Sequence, residues 1–308
     1  MKSKVAIINV YFGKLPEWFQ LWLESCKYNK EFEWIIFTDD TTKYEYPENV
    51  IRCVCSFEDI KNIINEKLGI ETQIDSPYKL CDFKTVYGKI FSEYLVGFTH
   101  WGYCDLDMIF GDLSKYITDD ILENYDRIFN KGHLTIYKNN DIVNNYYKLD
   151  YSGVNYKDIF KSKYHYGFDE SAGFDKLYKE NNISQYICSK PIIADIDFSK
   201  YRLNILGLEN YKNQCFVFEN GHVYRKYLKN NRNIKEEFLY IHFQKRNMIN
   251  RVKNKDKFLI EEEEFIDEKL KNTKKSSAFI KKFNMYIRYK HIFFKQSIYR
   301  FIHWKLNL

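Results

Sequence analysis

Asp105 and Asp107 stand two residues apart at the end of the apolar run Trp101-Gly-Tyr-Cys104. Strict strand geometry does not let both carboxylates face one point, but a bend after Cys104 does. Together they would offer hard oxygen ligands to Mg²⁺ or Mn²⁺, which bridges diphosphate oxygens and neutralises leaving-group charge. The plain alternative is a turn with two solvated aspartates.

Two further clusters carry chemistry. In Leu239-Tyr-Ile-His-Phe-Gln-Lys-Arg246, His242 can supply a neutral imidazole ligand, and Lys245 and Arg246 can hold phosphate. A packed strand-end histidine is the competing reading. In Gly167-Phe-Asp-Glu170, Asp169 or Glu170 can act on a sugar or an acceptor hydroxyl. Adjacent acids before the helix-like stretch 171–178 are also ordinary helix N-terminal residues.

The elements that must position these groups alternate. Val5-Ala-Ile-Ile-Asn-Val10 is a continuous apolar run of the kind seen in strands covered on both faces. Pro16 suits a first helical turn, and Trp18, Phe19, Trp22, Leu23 and Cys26 recur at helical spacing. Glu33-Trp-Ile-Ile-Phe37 is a second buried strand, running into Thr38-Asp39-Asp40. Such a β-α-β start predicts an open parallel sheet with its ligand crevice at the strand C-termini.

Residues 51–55 read as a third strand, 57–68 and 82–98 as helices, and 101–104 as the strand entering Asp105-Leu-Asp107. Stretches 133–137, 192–196 and 238–242 are later strand candidates, and the acidic run from Glu261 to Glu264 opens a solvated helix. The class is α/β with a mostly parallel central sheet.

The 48 basic and 42 acidic residues are unevenly spread. Ten of the basic residues and no acid lie from Lys271 to Leu308, so the first 270 residues carry a net charge of −4. A mildly acidic body disfavours a nucleic-acid partner, and a basic tail favours an anionic surface. The 45% hydrophobic content suffices for a sizeable core and excludes a disordered chain. Seven cysteines without a CxxC pair or an apolar leader read as reduced, buried thiols of a cytoplasmic protein.

The order of these parts resembles the GT-A glycosyltransferases. Asp82-Phe-Lys84, Tyr94-Leu95 and Gly102-Tyr-Cys-Asp-Leu-Asp107 are similar to the helix-then-DxD segment of the DxD sugar-binding-region transferases. Phe168-Asp-Glu170 and His242-Phe-Gln-Lys245 are similar to the acid-pair and terminal-histidine segments of the lipopolysaccharide galactosyl- and glucosyltransferase-like group. From about Lys4 to Arg246 the chain also looks like an uncharacterised bacterial family of capsule and O-antigen gene clusters. Three departures stand out: Thr85 at the usual basic position, Glu170 at a common Gln, and no glycine-rich spacing after the histidine.

The resemblance implies a GT-A-like Rossmann-type domain over residues 1–250, followed by a charged helical extension over 251–308. It implies that Asp105, Asp107 and His242 hold Mn²⁺ or Mg²⁺ and that Lys245 contacts the diphosphate. Lys84 substitutes for the missing basic residue, and Asn9, Tyr11 and Asp39 lie near the nucleotide. Asp169 and Glu170 are the catalytic candidates. The expected activity is hexosyl transfer from a UDP-sugar to a surface polysaccharide or lipid-linked glycan, with a segment order that leans towards retention.

In the tail, Phe279, Ile280, Phe283, Tyr286, Ile287 and Phe294 approximate an apolar stripe among lysines and arginines. An interfacial helix would place the protein peripherally on the inner face of the membrane. The alternative is a helix docked on the body. Two other function classes compete: a phosphotransferase or phosphohydrolase with Asp105 as nucleophile and Asp195 and Asp197 as its later acids, and a non-catalytic peripheral membrane protein. No Walker loop and no GxGxxG is present.

Overall fold

The computed structural model describes residues 4–268, which form a mixed α/β fold. The basic tail, and with it the expected membrane helix, lies outside the described residues. The chain divides into two compact units, Met1–Leu106 with Asp112–Lys190, and Asp107–Gly111 with Pro191 onward. The boundary between them falls between the two aspartates of the Asp-Leu-Asp motif.

In chain order the early strands are β1 (Val5–Val10), β2 (Phe32–Thr38), β3 (Val50–Val54), β4 (His100–Cys104), β5 (Met108–Phe110), β6 (Arg127–Lys131), β7 (Leu134–Lys138) and β8 (Gln185–Tyr186). All but β5 form the sheet of the first unit, in the order β3-β2-β1-β4-β7-β6-β8. The pairs β3-β2, β2-β1, β1-β4 and β6-β8 are parallel, and only β7 runs against its neighbours. The mostly parallel sheet expected from the alternating pattern is present.

From β1 the chain moves to β2 and β3 on one side, then returns to β4 on the other. The strand order reverses between β1 and β4, where open α/β sheets form a crevice beyond the strand ends. Val5 pairs with both Phe32 and His100. The ends of β1, β2 and β4 therefore lie along one sheet edge, and they carry Asn9, Tyr11, Asp39 and Asp105.

Helix α1 (Phe19–Lys27) buries Phe19, Trp22, Leu23 and Cys26, the face expected from their spacing. Helix α2 (Phe57–Leu68) begins with a reciprocal capping box between Ser56 and Asp59 and ends at Gly69, whose φ is +65°. The long helix expected over 82–98 is instead a short α turn, Tyr87–Ile90, between the 3-10 stretches Pro77–Val86 and Ser92–Leu95. Its apolar face survives: Phe83, Val86, Ile90 and Phe91 are fully buried. The core takes up much of the aromatic content, with Phe37 stacked on Phe91 at 4.3 Å and Phe83 on Phe160 at 4.4 Å.

The second unit holds β9 (Ile193–Asp195), β10 (Cys215–Glu219), β11 (His222–Lys229), β12 (Arg232–Phe238), β13 (Tyr240–His242), β14 (Ile249–Arg251), β15 (Lys257–Ile260) and β16 (Glu264–Ile266). A small sheet, β5-β13-β9, stands beside a six-stranded one, β12-β11-β10-β15-β16-β14. The strand expected over 238–242 is split at Leu239 between these two sheets. The helix expected from Glu261 is also absent: Glu261 N–H bonds to Glu264 C=O at 2.9 Å in a turn, and β16 pairs with β15. Residues 251–268 of the expected helical extension are thus mainly strand and turn.

Candidate catalytic and metal-binding residues

In the first unit the groups converge on Lys84. Its Nζ lies 2.7 Å from the Asp105 carboxylate and 3.3 Å from that of Asp169, and it donates to Gly132 C=O at 3.1 Å. Each partner comes from a different element. Lys84 lies in the last turn of the first 3-10 stretch, Asp105 follows β4, Gly132 lies in the β6–β7 turn, and Asp169 sits in the loop after Gly167. Gly132 lets the turn pack closely on this acid: a Cβ there would stand 3.0 Å from Asp169 Oδ2.

Asp82 fixes that loop. Its buried carboxylate accepts Tyr166 N–H and Phe168 N–H, each at 3.0 Å, and Lys79 Nζ at 2.8 Å. Lys79 in turn donates to Ile159 C=O and Tyr164 C=O. A buried lysine and aspartate at i and i+3 thus tie the 3-10 stretch to residues 159–168, which sets the position of Asp169.

Burial opposes the charged form of Lys84, but the Asp105 and Asp169 carboxylates outweigh it and hold the ammonium protonated. Burial pushes the Asp169 carboxyl up to about 7, against the pull of Lys84. Asp169 Oδ1 is buried without a hydrogen-bond partner, whereas Glu170 is exposed. The acid pair therefore divides: Asp169 braces Lys84 from inside, and Glu170 is open to solvent.

The expected nucleotide contacts at the strand ends are placed as follows. Asn9 is buried, with Nδ2 donating to Cys104 C=O at 2.5 Å and Oδ1 accepting the Cys104 thiol at 3.4 Å. It ties the end of β1 to the end of β4, so it positions Asp105 and is not presented to a ligand. Tyr11 is partly buried, its hydroxyl 3.4 Å from Lys14 C=O. Asp39 is exposed and accepts Gly13 N–H at 2.7 Å. Gly13 has φ +93°, so this carboxylate fixes a loop that only glycine adopts easily.

In the second unit the centre is His242, which is buried at the end of β13. Nδ1 lies 3.0 Å from Asp195 Oδ1, and Nε2 lies 3.3 Å from Asp107 Oδ1. Asp195 sits opposite His242 in the parallel β13–β9 register. Two consecutive residues with left-handed backbone, Gln244 at φ +30° and Lys245 at φ +44°, clamp both acids. Gln244 Nε2 donates to Asp195 at 2.7 Å, and Lys245 N–H donates to Asp107 Oδ2 at 3.1 Å. Such strained residues persist only where their surroundings over-determine them. Although burial works against ionisation, His242 and the Lys245 N–H hold the Asp107 carboxyl down at about 2.

These donors suit a divalent cation. Two neighbouring ligands on one octahedral ion at ~2.1 Å are about 3 Å apart, close to the Asp107–His242 separation. In the tautomer whose Nδ1 donates to Asp195, Nε2 is the deprotonated nitrogen turned towards Asp107, the orienting arrangement found behind metal-bound histidines. Buried His and Asp groups able to hold a metal ion are thus present. Sequence spacing carries no sign that Asp195 or Gln244 joins this group, because nothing in the sequence pairs β9 with β13.

Arg246 corrects an expectation. It is buried, and its guanidinium donates to the carbonyls of Tyr201, Glu262 and Lys200 at 3.0, 3.1 and 2.6 Å. It is a backbone clasp, buried and turned to main-chain carbonyls instead of a phosphate. Lys245, by contrast, is exposed. All seven cysteines are free thiols, and no helix among the described residues is long and apolar enough to cross a membrane.

No curated protein matches the chain. A family model does match residues 7–269, which is most of the chain's length, and the chain therefore belongs to DUF6625, a family of unknown function.

Proposed function

We propose that this protein is a metal-dependent glycosyltransferase that moves a sugar from a UDP-sugar donor to a growing surface polysaccharide or a lipid-linked glycan. The observation that carries this reading is His242, buried and oriented by Asp195, with its second nitrogen 3.3 Å from the ionised Asp107. Asp105 stands two residues before Asp107 in the chain, and that Asp-x-Asp spacing is the sequence signal for it as a further oxygen ligand. Bound there, Mg²⁺ or Mn²⁺ would neutralise charge developing on the departing diphosphate.

The chain's own groups do the rest. The exposed Lys245 ammonium meets phosphate oxygens as a mobile point charge. Lys84 keeps a fixed positive charge beside Asp105, and Glu170 is the carboxylate open to an acceptor hydroxyl. A GT-A-like nucleotide site in this reading uses the edge where β1, β2 and β4 end, with the partly buried Tyr11 and the exposed Asp39 as its polar groups. The lipid-linked acceptor and the basic tail put the reaction at the inner face of the membrane.

The Lys84–Asp105 ion pair favours a second reading, in which Asp105 is a phosphate-accepting nucleophile. Release of phosphate from an aryl phosphate would support it, and release of UDP from a UDP-sugar would support transfer. The deciding measurement is a thermal-shift panel of UDP, GDP, CDP and CMP with and without Mn²⁺, since a ligand that binds only the native state raises apparent stability. UDP should stabilise most, only with metal, and Asp107→Asn should abolish that effect while leaving the ligand-free melting point near wild type. Equal stabilisation by GDP removes the UDP assignment, and a Mn²⁺-independent response removes the metal.

A further inference from the structure

Tyr78 and His165, both in the first unit, form a feature the roles above do not use. Tyr78 is 61% exposed, the most open aromatic ring among the described residues' large exposed hydrophobics. It is not loose on the surface: its ring packs against the His165 imidazole with centroids 4.7 Å apart and planes at 50°. His165 sits on the loop that Asp82 anchors, its Nε2 3.7 Å from the Asp82 carboxylate. Tyr78 is the second residue of the 3-10 stretch that Lys79 and Asp82 fix from below. Both rings are therefore held by the buried ion pair that also places Asp169.

The Glu170 carboxylate belongs to the same loop: Glu170 N–H bonds to Gly167 C=O at 3.0 Å, and its Oε2 lies 3.5 Å from where a Cβ of Gly167 would stand, two residues on from His165. Burial keeps the His165 ring below its ordinary pKa and hence neutral near pH 7, so it adds an uncharged face. Two angled rings next to an exposed carboxylate suit one kind of ligand. A pyranose ring offers a face of C–H groups for an aromatic surface and a rim of hydroxyls for a carboxylate. An anionic ligand would meet Glu170 unfavourably, and a purely apolar one would leave its carboxylate without a partner.

We infer that Tyr78, His165 and Glu170 form a subsite for a neutral pyranoside, the terminal sugar of the acceptor. Calling it the acceptor rests on the transferase reading; the saccharide site does not. Tyr78 and His165 are positioning residues here, and Glu170 is the group that meets a hydroxyl.

Saturation-transfer NMR of the full chain with a panel of methyl hexopyranosides, with and without UDP and Mn²⁺, tests this. At least one glycoside should receive saturation on one ring face. Tyr78→Ala should weaken its binding by about tenfold, as expected for loss of an aromatic contact surface. Tyr78→Phe should retain it, because the ring and not the hydroxyl makes the contact. UDP stabilisation should be unchanged in both variants, which shows that each is folded. No saturation transfer under either condition, or equal binding by wild type and Tyr78→Ala, overturns the subsite. Glycoside binding that depends on Tyr78 in a protein that ignores every nucleotide keeps the subsite and overturns the transferase reading.

Discussion

Asp195 Oδ1 lies 3.0 Å from His242 Nδ1, and the two residues face each other across parallel strands β9 and β13. That pairing turns the opposite edge of the imidazole towards Asp107. A strand-end histidine that merely fills space has no need of a buried carboxylate behind it. The cost of burying Asp195 is offset by two donors, His242 and Gln244. The geometry sets Nδ1 against Asp195 and Nε2 against Asp107, an orientation that suits a metal ligand.

The first prediction follows from that contact. Asp195→Ala should weaken Mn²⁺ binding by about 10- to 100-fold, the usual consequence of losing an orienting partner behind a ligand. Asp195→Asn keeps an acceptor oxygen and should fall between the two. Titration calorimetry with Mn²⁺ alone measures this without any assay of activity. Unchanged affinity in Asp195→Ala would mean that the ring does not bind metal through Nε2.

The second concerns pH. Asp169 has a folded-state pKa of about 7 against an ordinary carboxyl value near 4 in the unfolded chain. Between those values the native state binds the extra proton, so stability is highest at the acid end and falls as pH rises through 7. The slope from this group is on the order of 1 kcal/mol per pH unit. Asp169→Asn should flatten that part of a denaturation-versus-pH profile and raise stability at pH 8 relative to wild type. Identical profiles would show that Lys84 keeps Asp169 ionised throughout.

Adjacent basic residues should separate cleanly. Arg246→Met removes donors from several buried carbonyls and should destabilise the protein by about 3 kcal/mol in urea unfolding. Lys245→Ala should leave stability within about 0.5 kcal/mol, because its structural bond is made by the backbone N–H. It should weaken Mn²⁺-dependent UDP binding several-fold. Reversal of these two effects would return phosphate binding to Arg246.

Gly102 lies in the middle of β4, two strand positions before Cys104. A Cβ there would stand 2.5 Å from Thr135 C=O in β7, a backbone atom that cannot turn aside. Gly102→Ala should therefore cost about 2–3 kcal/mol through strain between paired strands. It should also shift Asp105 and lower metal affinity, which the same calorimetry measures. A variant as stable as wild type would mean that β4 and β7 separate easily.

The sequence by itself determined the parts that depend on local pattern. The unbroken apolar runs of β1 and β2, the helical spacing of Trp22 and Cys26, and the Ser56–Gly69 caps each carry their own signal within a few residues. The paired aspartates and the late histidine were legible because chemistry restricts which residue types can follow a buried strand. The β10–β12 hairpins carry a local signal too. Asn220-Gly221 and Asn230-Asn231 all take left-handed backbone, with φ between 48° and 83°, as tight hairpin turns demand.

Only the tertiary structure decided which groups meet. Asp195 reaches His242 through a strand pairing 47 residues apart in the chain. Lys84 reaches Asp169 through a loop that a buried Lys79–Asp82 pair holds down. Arg246 and Lys245 are one residue apart and equally basic, yet one is consumed by carbonyls and the other is open to solvent. Residue type sets what a side chain can do, but burial and pairing come from long-range contacts, and these assign each charge its task.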